Sequence, residues 1–426
     1  MKILLCCEYY YPSVGGVQVV MQQLAERFAA KGHFVTIATS RLPARQEMIM
    51  NGVSIREFSV SGNYVSGMSG EVRAYQEFVK LEDFDVVMIK AAQQWTFDAL
   101  WPVLGQIKSA KIFIPCGFSG LYEFAFADYF KQLPEILRRF DHLIFYASDY
   151  RDINFSKLNG VNHYSIIPNG ASEVEFSVPL DAEFRKTMGI LEEEFVFLTV
   201  GSLTRLKGHL ELAKAFANLN IDNRKAVLIL NGNKCMNNYS FIDNLNRKIR
   251  LHGIKHIVKY ALKAILVKLK ILVEKEDELD IIIKLINSQP NKRVLMIDLP
   301  RNQLVQAFMA ADLFVFASNV EYSPLVLFET SAAGTPFLSV PVGNSEEIAA
   351  WTGAGAICPA EKDEKGYTRV EPMLLAHHME QMMCDPNLLK RLGDTGKRNW
   401  QEKFTWATIA EQYENLFRQV LAEKGV

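Results

Sequence analysis

Along this chain, short apolar runs rich in β-branched and aromatic residues alternate with stretches whose apolar positions recur every three or four residues. The first pattern predicts strands buried on both faces and the second predicts amphipathic helices, so their alternation predicts helices layered on parallel sheets. In the first part strands are expected at 2–6, 34–39, 86–89, 111–115, 143–146 and 164–167. The clearest helix between them is 17–31, apolar at 19, 20, 24 and 28 and stopped by Gly32 and His33. The rhythm breaks after Ile166-Ile167-Pro168-Asn169-Gly170, where irregular sequence runs to about Leu191. It restarts with strands expected at 195–200, 226–230, 294–297, 313–317 and 337–340 and a helix at 208–217. The last stretch, 404–417, reads as an amphipathic helix with a threonine cap.

With 426 residues the chain exceeds what a single core supports, and 49% hydrophobic residues suffice for two. The break near 170 therefore marks a boundary between domains of 1–172 and 173–405. The balance of 47 basic against 48 acidic residues gives no general case for nucleic-acid binding. Six scattered cysteines without a C-x-x-C pair argue against a zinc site or disulfide framework and favour a reducing compartment. The apolar run before Glu8 is too short for a signal peptide, and no apolar stretch is long enough to cross a membrane. A cytoplasmic protein is expected.

Two loops carry the chemistry. After the strand at 313–317 come Glu321, a largely apolar run and Glu329, with Pro324 in the first turn of the expected helix. The segment Ser323, Pro324, Leu325 and Val326 would stand at the positive end of that helix, where an anion is favoured, with N–H donors at 323, 325 and 326. After the strand at 195–200 come Gly201, Ser202, Arg205 and then Lys207-Gly208 at a helix start. A lysine there disfavours the helix dipole slightly, which argues for a role towards a negative group. A third loop, between the first strand and first helix, holds Gly15-Gly16, where backbone amides can approach a phosphate or sugar. Tyr150, Arg151 and Asp152 follow the strand at 143–146. Either Arg151 or Asp152 is a candidate contact to an acceptor or phosphate, with a solvated ion pair as the plain alternative.

The spacing Glu321-x7-Glu329, followed by Gly334-Thr335-Pro336, Gly343-Asn344 and Glu347-Ile348, resembles family 4 of the retaining glycosyltransferases (GT4). The resemblance implies the GT-B fold: two Rossmann-like domains facing across a cleft, with a last helix at about 406–426 crossing back to the first domain. It implies transfer of a sugar from a nucleotide-diphosphate sugar to a saccharide or lipid-linked acceptor, with retention and without a metal or other cofactor. Building of a surface glycan such as lipopolysaccharide, capsule or exopolysaccharide is the expected setting. Glu321 would hold donor-sugar hydroxyls, Glu329 the ribose, and Lys207 with the helix end at 323–326 the diphosphate. Gly15, Gly16, Gly201 and Ser202 would line the donor. The usual arginine of the lysine motif is replaced by Ser202, and Arg205 is the candidate substitute. Where many members carry a histidine, this chain has Cys116, which is given no catalytic role. These departures keep two alternatives open: a catalytically impaired, GT-B-shaped binding protein for sugar nucleotides, and a sugar-nucleotide epimerase.

Between Gly232 and Arg293 the chain has about sixty residues, several times a usual connection. The basic helical insertion is placed at about 240–290. From Arg247 to Val273 there are eight basic and no acidic residues. As a helix this segment places Lys248, His252, Lys255, Lys259, Lys263 and Lys270 on one stripe, opposite an apolar face. That pattern fits an anionic membrane surface or a helix with merely solvated lysines. A peripheral position on the inner face of the membrane is the corresponding expectation.

Overall fold

The computed structural model describes residues 1–222, 224–232, 277–364 and 366–425. The basic stretch 247–273 lies outside the described residues. The first sheet contains β1 (Lys2–Cys6), β2 (Phe34–Ser40), β3 (Ile49–Met50) and β4 (Val53–Phe58). A small antiparallel ribbon of β5 (Val60–Ser61) and β6 (Ser69–Gly70) stands apart. The sheet continues with β7 (Val86–Lys90), β8 (Ala110–Ile114), β9 (His142–Phe145) and β10 (Tyr164–Ile166). Its order is β10-β9-β8-β7-β1-β2-β4-β3, parallel throughout except for the edge pair of β3 with β4. The second sheet comprises β11 (Glu194–Val200), β12 (Lys225–Asn231), β13 (Lys292–Ile297), β14 (Leu313–Phe316), β15 (Phe337–Ser339) and β16 (Gly355–Ile357). Its order is β13-β12-β11-β14-β15-β16, all parallel. A hairpin of β17 (Glu361–Lys362) and β18 (Thr368–Arg369) follows.

In both sheets the strand order reverses beside the first strand of the unit, between β1 and β7 and between β11 and β14. Ligands bind such sheets beyond the carboxyl ends of the strands at these reversals. The central strands are the continuous apolar runs of the sequence and are buried on both faces; β7, for example, is buried at every position. Strand β4 escaped the sequence reading because its residues alternate between buried and exposed, the pattern of a strand towards a sheet edge.

The chain passes between the domains twice. The outgoing segment and the returning one lie side by side: Ala171 N–H donates to the Phe404 carbonyl at 3.0 Å, and the Ala171 carbonyl accepts from Trp406 N–H and Trp400 Nε1 at 3.2 Å each. A Cβ on Gly170 would lie 2.5 Å from the Phe404 carbonyl oxygen, so the close approach requires glycine. Thr405 then caps the last helix, Trp406–Lys424, by accepting from Thr408 N–H at 3.1 Å. That helix packs on Gly16–Ala30, burying Trp406, Ile409, Tyr413 and Phe417 in the first domain's core, with Phe417 and Phe28 rings 5.5 Å apart.

Gly170→Ala is expected to force these segments apart and cost about 1–3 kcal/mol of stability. Gly16→Ala, where no atom lies within 4 Å of the added carbon, should cost far less. Urea unfolding of both variants checks this; equal midpoints would contradict the tight crossing.

Candidate functional site

The β11 and β14 loops meet at the strand reversal of the second sheet. Gly208 has left-handed backbone (φ 70°), and a Cβ there would lie 1.8 Å from the Ala317 carbonyl oxygen. Only glycine lets the lysine loop lie flat against the end of β14. Asn319 N–H then donates to the Leu206 carbonyl at 2.9 Å, and Ser318 Oγ lies 3.2 Å from the same oxygen. This registration brings Lys207 Nζ to 2.6 Å from Glu321 Oε1, which also accepts from Ser318 Oγ at 2.9 Å. Both charged side chains are largely shielded, 30% and 15% exposed, so their attraction is less screened than at an open surface. Gly201 and Ser202 are held through their backbones: both carbonyls lie near His209 Nε2, at 3.1 and 3.2 Å. Arg205 is exposed on the same loop.

The helix following Glu321 runs over Leu325–Ala333. Pro324 stands one residue before it, at the cap position, and not in its first turn as the sequence reading had it. No side chain caps this end and no acidic residue occupies its first turn, so its positive pole is not neutralised locally. Ser323 is tied to the first domain, its carbonyl accepting from Asn169 Nδ2 at 3.1 Å. Glu329 is nearly buried at 8% exposure, and its Oε1 accepts from Arg301 Nη2 at 2.5 Å. Sequence reasoning did not find that partner, which lies on another helix.

The first domain closes over this loop with aromatic rings. Tyr322 lies 4.7 Å from Tyr150 and 5.6 Å from Tyr146, ring centre to ring centre. Tyr150 Oη donates to the Glu321 carbonyl at 2.6 Å, and Tyr146 N–H donates to Tyr322 Oη at 3.0 Å. Asn344 Nδ2 donates to the Tyr146 carbonyl at 2.9 Å, and Ser148 N–H to Glu347 at 2.9 Å. A cleft of about 1030 Å³ opens beside these contacts, lined by Glu321, Tyr150, Arg151, Asn319, Tyr122 and Tyr367 among others. Arg151 faces it with its guanidinium 5.7 Å from both the Tyr122 and Tyr150 rings. Asp152 does not face the cleft. It is fully buried and accepts from Gly117 N–H at 2.7 Å, and burial pushes its carboxyl up to about 6. It therefore anchors the loop after β8. In that loop Cys116, Gly117 and Phe118 are all left-handed, and burial pushes the Cys116 thiol up to about 11, far from thiolate formation at neutral pH.

At the carboxyl end of the first sheet, Gly16 borders open space, while Gly15 is approached by the Gln18 side chain. No atom lies within 4 Å of a Cβ built on Gly16, whereas one on Gly15 would lie 2.7 Å from Gln18 Oε1. Nearby, Lys90 ends β7 fully buried, with Nζ 2.5 Å from Tyr146 Oη, and burial pulls its pKa down to about 8. Its sequence signal was a lysine closing an otherwise apolar strand. Burial, with a smaller contribution from Asp98, raises Glu8 to about 7; burial raises Asp98 itself to about 6. Among the described residues no group of three or more His, Cys, Asp or Glu is placed to hold a metal ion.

Glu8 gives a pH prediction. Its folded pKa lies above the ordinary value of 4.5, so the folded state binds the proton more tightly. Stability should fall as pH rises from about 4.5 to about 7 and then level off. Glu8→Gln should remove that component and be more stable than the parent at pH 8 by about 2–3 kcal/mol. Urea unfolding at pH 5 and pH 8 is the check; the same pH slope in both proteins would contradict the raised carboxyl pKa.

Comparison with known proteins agrees with this geometry. Residues 181–399 match the profile of glycosyl transferases group 1, and residues 14–173 that of glycosyltransferase family 4. An uncharacterized glycosyltransferase of Methanocaldococcus jannaschii is 22% identical, with all of both chains covered. The N-acetyl-alpha-D-glucosaminyl L-malate synthase of Bacillus anthracis is also 22% identical, over 99% of this chain and 98% of that one. Among solved structures, sucrose-phosphate synthase from Thermosynechococcus elongatus superposes with a TM-score of 0.68 at 19% identity, over 99% of each chain. An Anabaena protein in complex with UDP gives 0.68 at 16% identity, over 98% of this chain and 100% of that one. These structural neighbours share the GT-B architecture, in which two Rossmann-like domains face a common cleft. By the match over more than half its length, the chain belongs to the group 1 glycosyltransferases, and it is a transferase of the family 4 type.

Proposed function

We propose that the chain transfers a glycosyl unit from a nucleoside-diphosphate sugar to a hydroxyl-bearing acceptor, retaining the anomeric configuration and using no metal. The observation that carries this reading is the Lys207–Glu321 pair at 2.6 Å, set beside an uncapped helix end at the strand reversal. Glu321 accepts hydrogen bonds from the donor sugar's hydroxyls. Lys207 and the N–H groups of Ser323, Leu325 and Val326 stabilise charge on the departing diphosphate, as preorganised donors aimed at developing charge do best. Exposed Arg205 supplies the guanidinium that Ser202 lacks. Glu329 accepts from the ribose, and the open space at Gly16, beside Gly15, admits the donor from the first domain. Uridine is the first base to try, because the Anabaena neighbour has been seen with UDP and with UDP-glucose.

On the acceptor side, Arg151 faces the cleft with two tyrosine rings for support, which suits a saccharide or an anionic group on it. A lipid-linked acceptor at the inner face of a membrane, and with it surface-glycan synthesis, is the reading that the acid-free sequence 247–273 supports. The Bacillus relative, named for an L-malate product, favours a small soluble acceptor as the second reading. Among the described residues no helix is long and apolar enough to cross a membrane.

Turnover on a panel of UDP-, GDP- and ADP-sugars tests the proposal, read as release of nucleoside diphosphate with formation of a glycosylated product. Glu321→Gln should fold normally and lose at least about a hundredfold in kcat/KM, near 2.7 kcal/mol of barrier. Lys207→Ala should weaken donor binding as well as turnover. Donor binding without any turnover would instead favour the catalytically impaired binding protein. A rearranged sugar nucleotide as the product would favour the epimerase.

A further inference from the structure

Glu329 is not a lone carboxylate waiting for a ribose. Arg301 opens the helix Arg301–Ala310 and reaches across to it, while the same guanidinium grips a second carboxylate. Its Nε and Nη2 donate to Glu175 Oε1 and Oε2 at 2.8 Å each, and Nη2 also donates to Glu329 Oε1 at 2.5 Å. The planar fork is thus fixed on one side by a two-bond contact, which a lysine could not make. The guanidinium also lies 6.0 Å from the Phe176 ring centre.

Glu175 belongs to the short linker helix Glu173–Phe176. Two residues earlier, Glu173 Oε1 accepts from Arg27 Nε and Nη2 at 3.0 and 2.7 Å. Arg27 lies on Gly16–Ala30, the helix that starts at the glycine loop. Just before the linker helix, Ala171 is bonded to the returning segment at Phe404 and Trp406. Ion pairs therefore run from the first domain, through the linker, to the carboxylate at the nucleotide side of the second domain.

We propose that Arg301 is a positioning residue, which presents the Glu329 carboxylate to the donor's ribose and ties that carboxylate to the interdomain linker through Glu175. The proposal rests on the reading that Glu329 accepts from the ribose. Arg301 occupies Oε1, so the ribose hydroxyl is met by Oε2. Partial burial works against the guanidinium's charge, but Glu329 and Glu175 more than offset it and hold its pKa above the ordinary arginine value. Without Arg301, a nearly buried carboxylate would lose its charge partner, and its orientation with it.

The test is calorimetric binding of UDP, GDP and ADP to the full chain, followed by the 2′,3′-dideoxy form of whichever binds. Glu329→Gln and Arg301→Ala should each weaken the ribonucleotide at least tenfold, with the double variant little worse than either. Binding of the dideoxy form should be nearly unchanged by both. Arg301→Lys, which keeps the charge but not the fork, should recover only part of the affinity, and Glu175→Gln should cause a smaller loss, about threefold. If Arg301→Ala lowers the melting temperature but binds the ribonucleotide like the parent, while Glu329→Gln does not, Arg301 is only structural and the proposal is overturned. Should Arg301→Ala fail to fold, normal ribonucleotide affinity in both Arg301→Lys and Glu175→Gln overturns it equally. Normal binding by Glu329→Gln would instead remove the ribose reading on which the proposal rests.

Discussion

The loop 318–324 is held from both domains at once, and the geometry of the cleft depends on that double grip. Its own domain fixes it through the Leu206 carbonyl and Lys207. The first domain fixes it through Tyr150, Tyr146 and Asn169, which bond to Glu321, Tyr322 and Ser323 in turn. A carboxylate on an otherwise free loop would sample many orientations, and ordering it would cost side-chain entropy at the moment of binding. Here that ordering is already in place, as positioning for catalysis requires. The arrangement also makes the site sensitive to domain orientation, since Tyr150 and Tyr322 stay together only while the cleft is closed on this side.

The double crossing of the chain limits how that orientation can change. The linker and the returning segment are bonded to each other at Ala171, and the last helix buries its aromatic face in the first domain's core. The ion pairs of Glu173 with Arg27 and of Glu175 with Arg301 place charged contacts beside the crossing. They are partly exposed, so each contributes modestly to stability. Their consequence is geometric, since they relate the linker to Glu329.

What was legible in the sequence was whatever depends on neighbours along the chain. The apolar runs match the central strands, and the loops carrying Lys207 and Glu321 follow strands visible as patterns. That Lys207 and Glu321 touch was not legible, because it depends on Gly208 packing against Ala317, a contact across two strands. Arg301 was missed for the same reason: it sits on a helix with no motif, and only the fold brings it to Glu329. Asp152 was a candidate contact to an acceptor or phosphate because it follows a strand end, but its carboxylate turns inward to Gly117. Lys90, Glu8 and Asp98 are distinguished by burial, which a single sequence shows only dimly.

The central claim is that donor diphosphate is received by the amides at the start of the helix Leu325–Ala333 and by the loop of Lys207. Hydrogen–deuterium exchange with and without the UDP-, GDP- or ADP-sugar that binds reads those amides directly. The account predicts slowed exchange at Ser323, Leu325 and Val326 and across 202–208. Ordinary exchange in both segments at saturating donor, with protection appearing elsewhere, would contradict it.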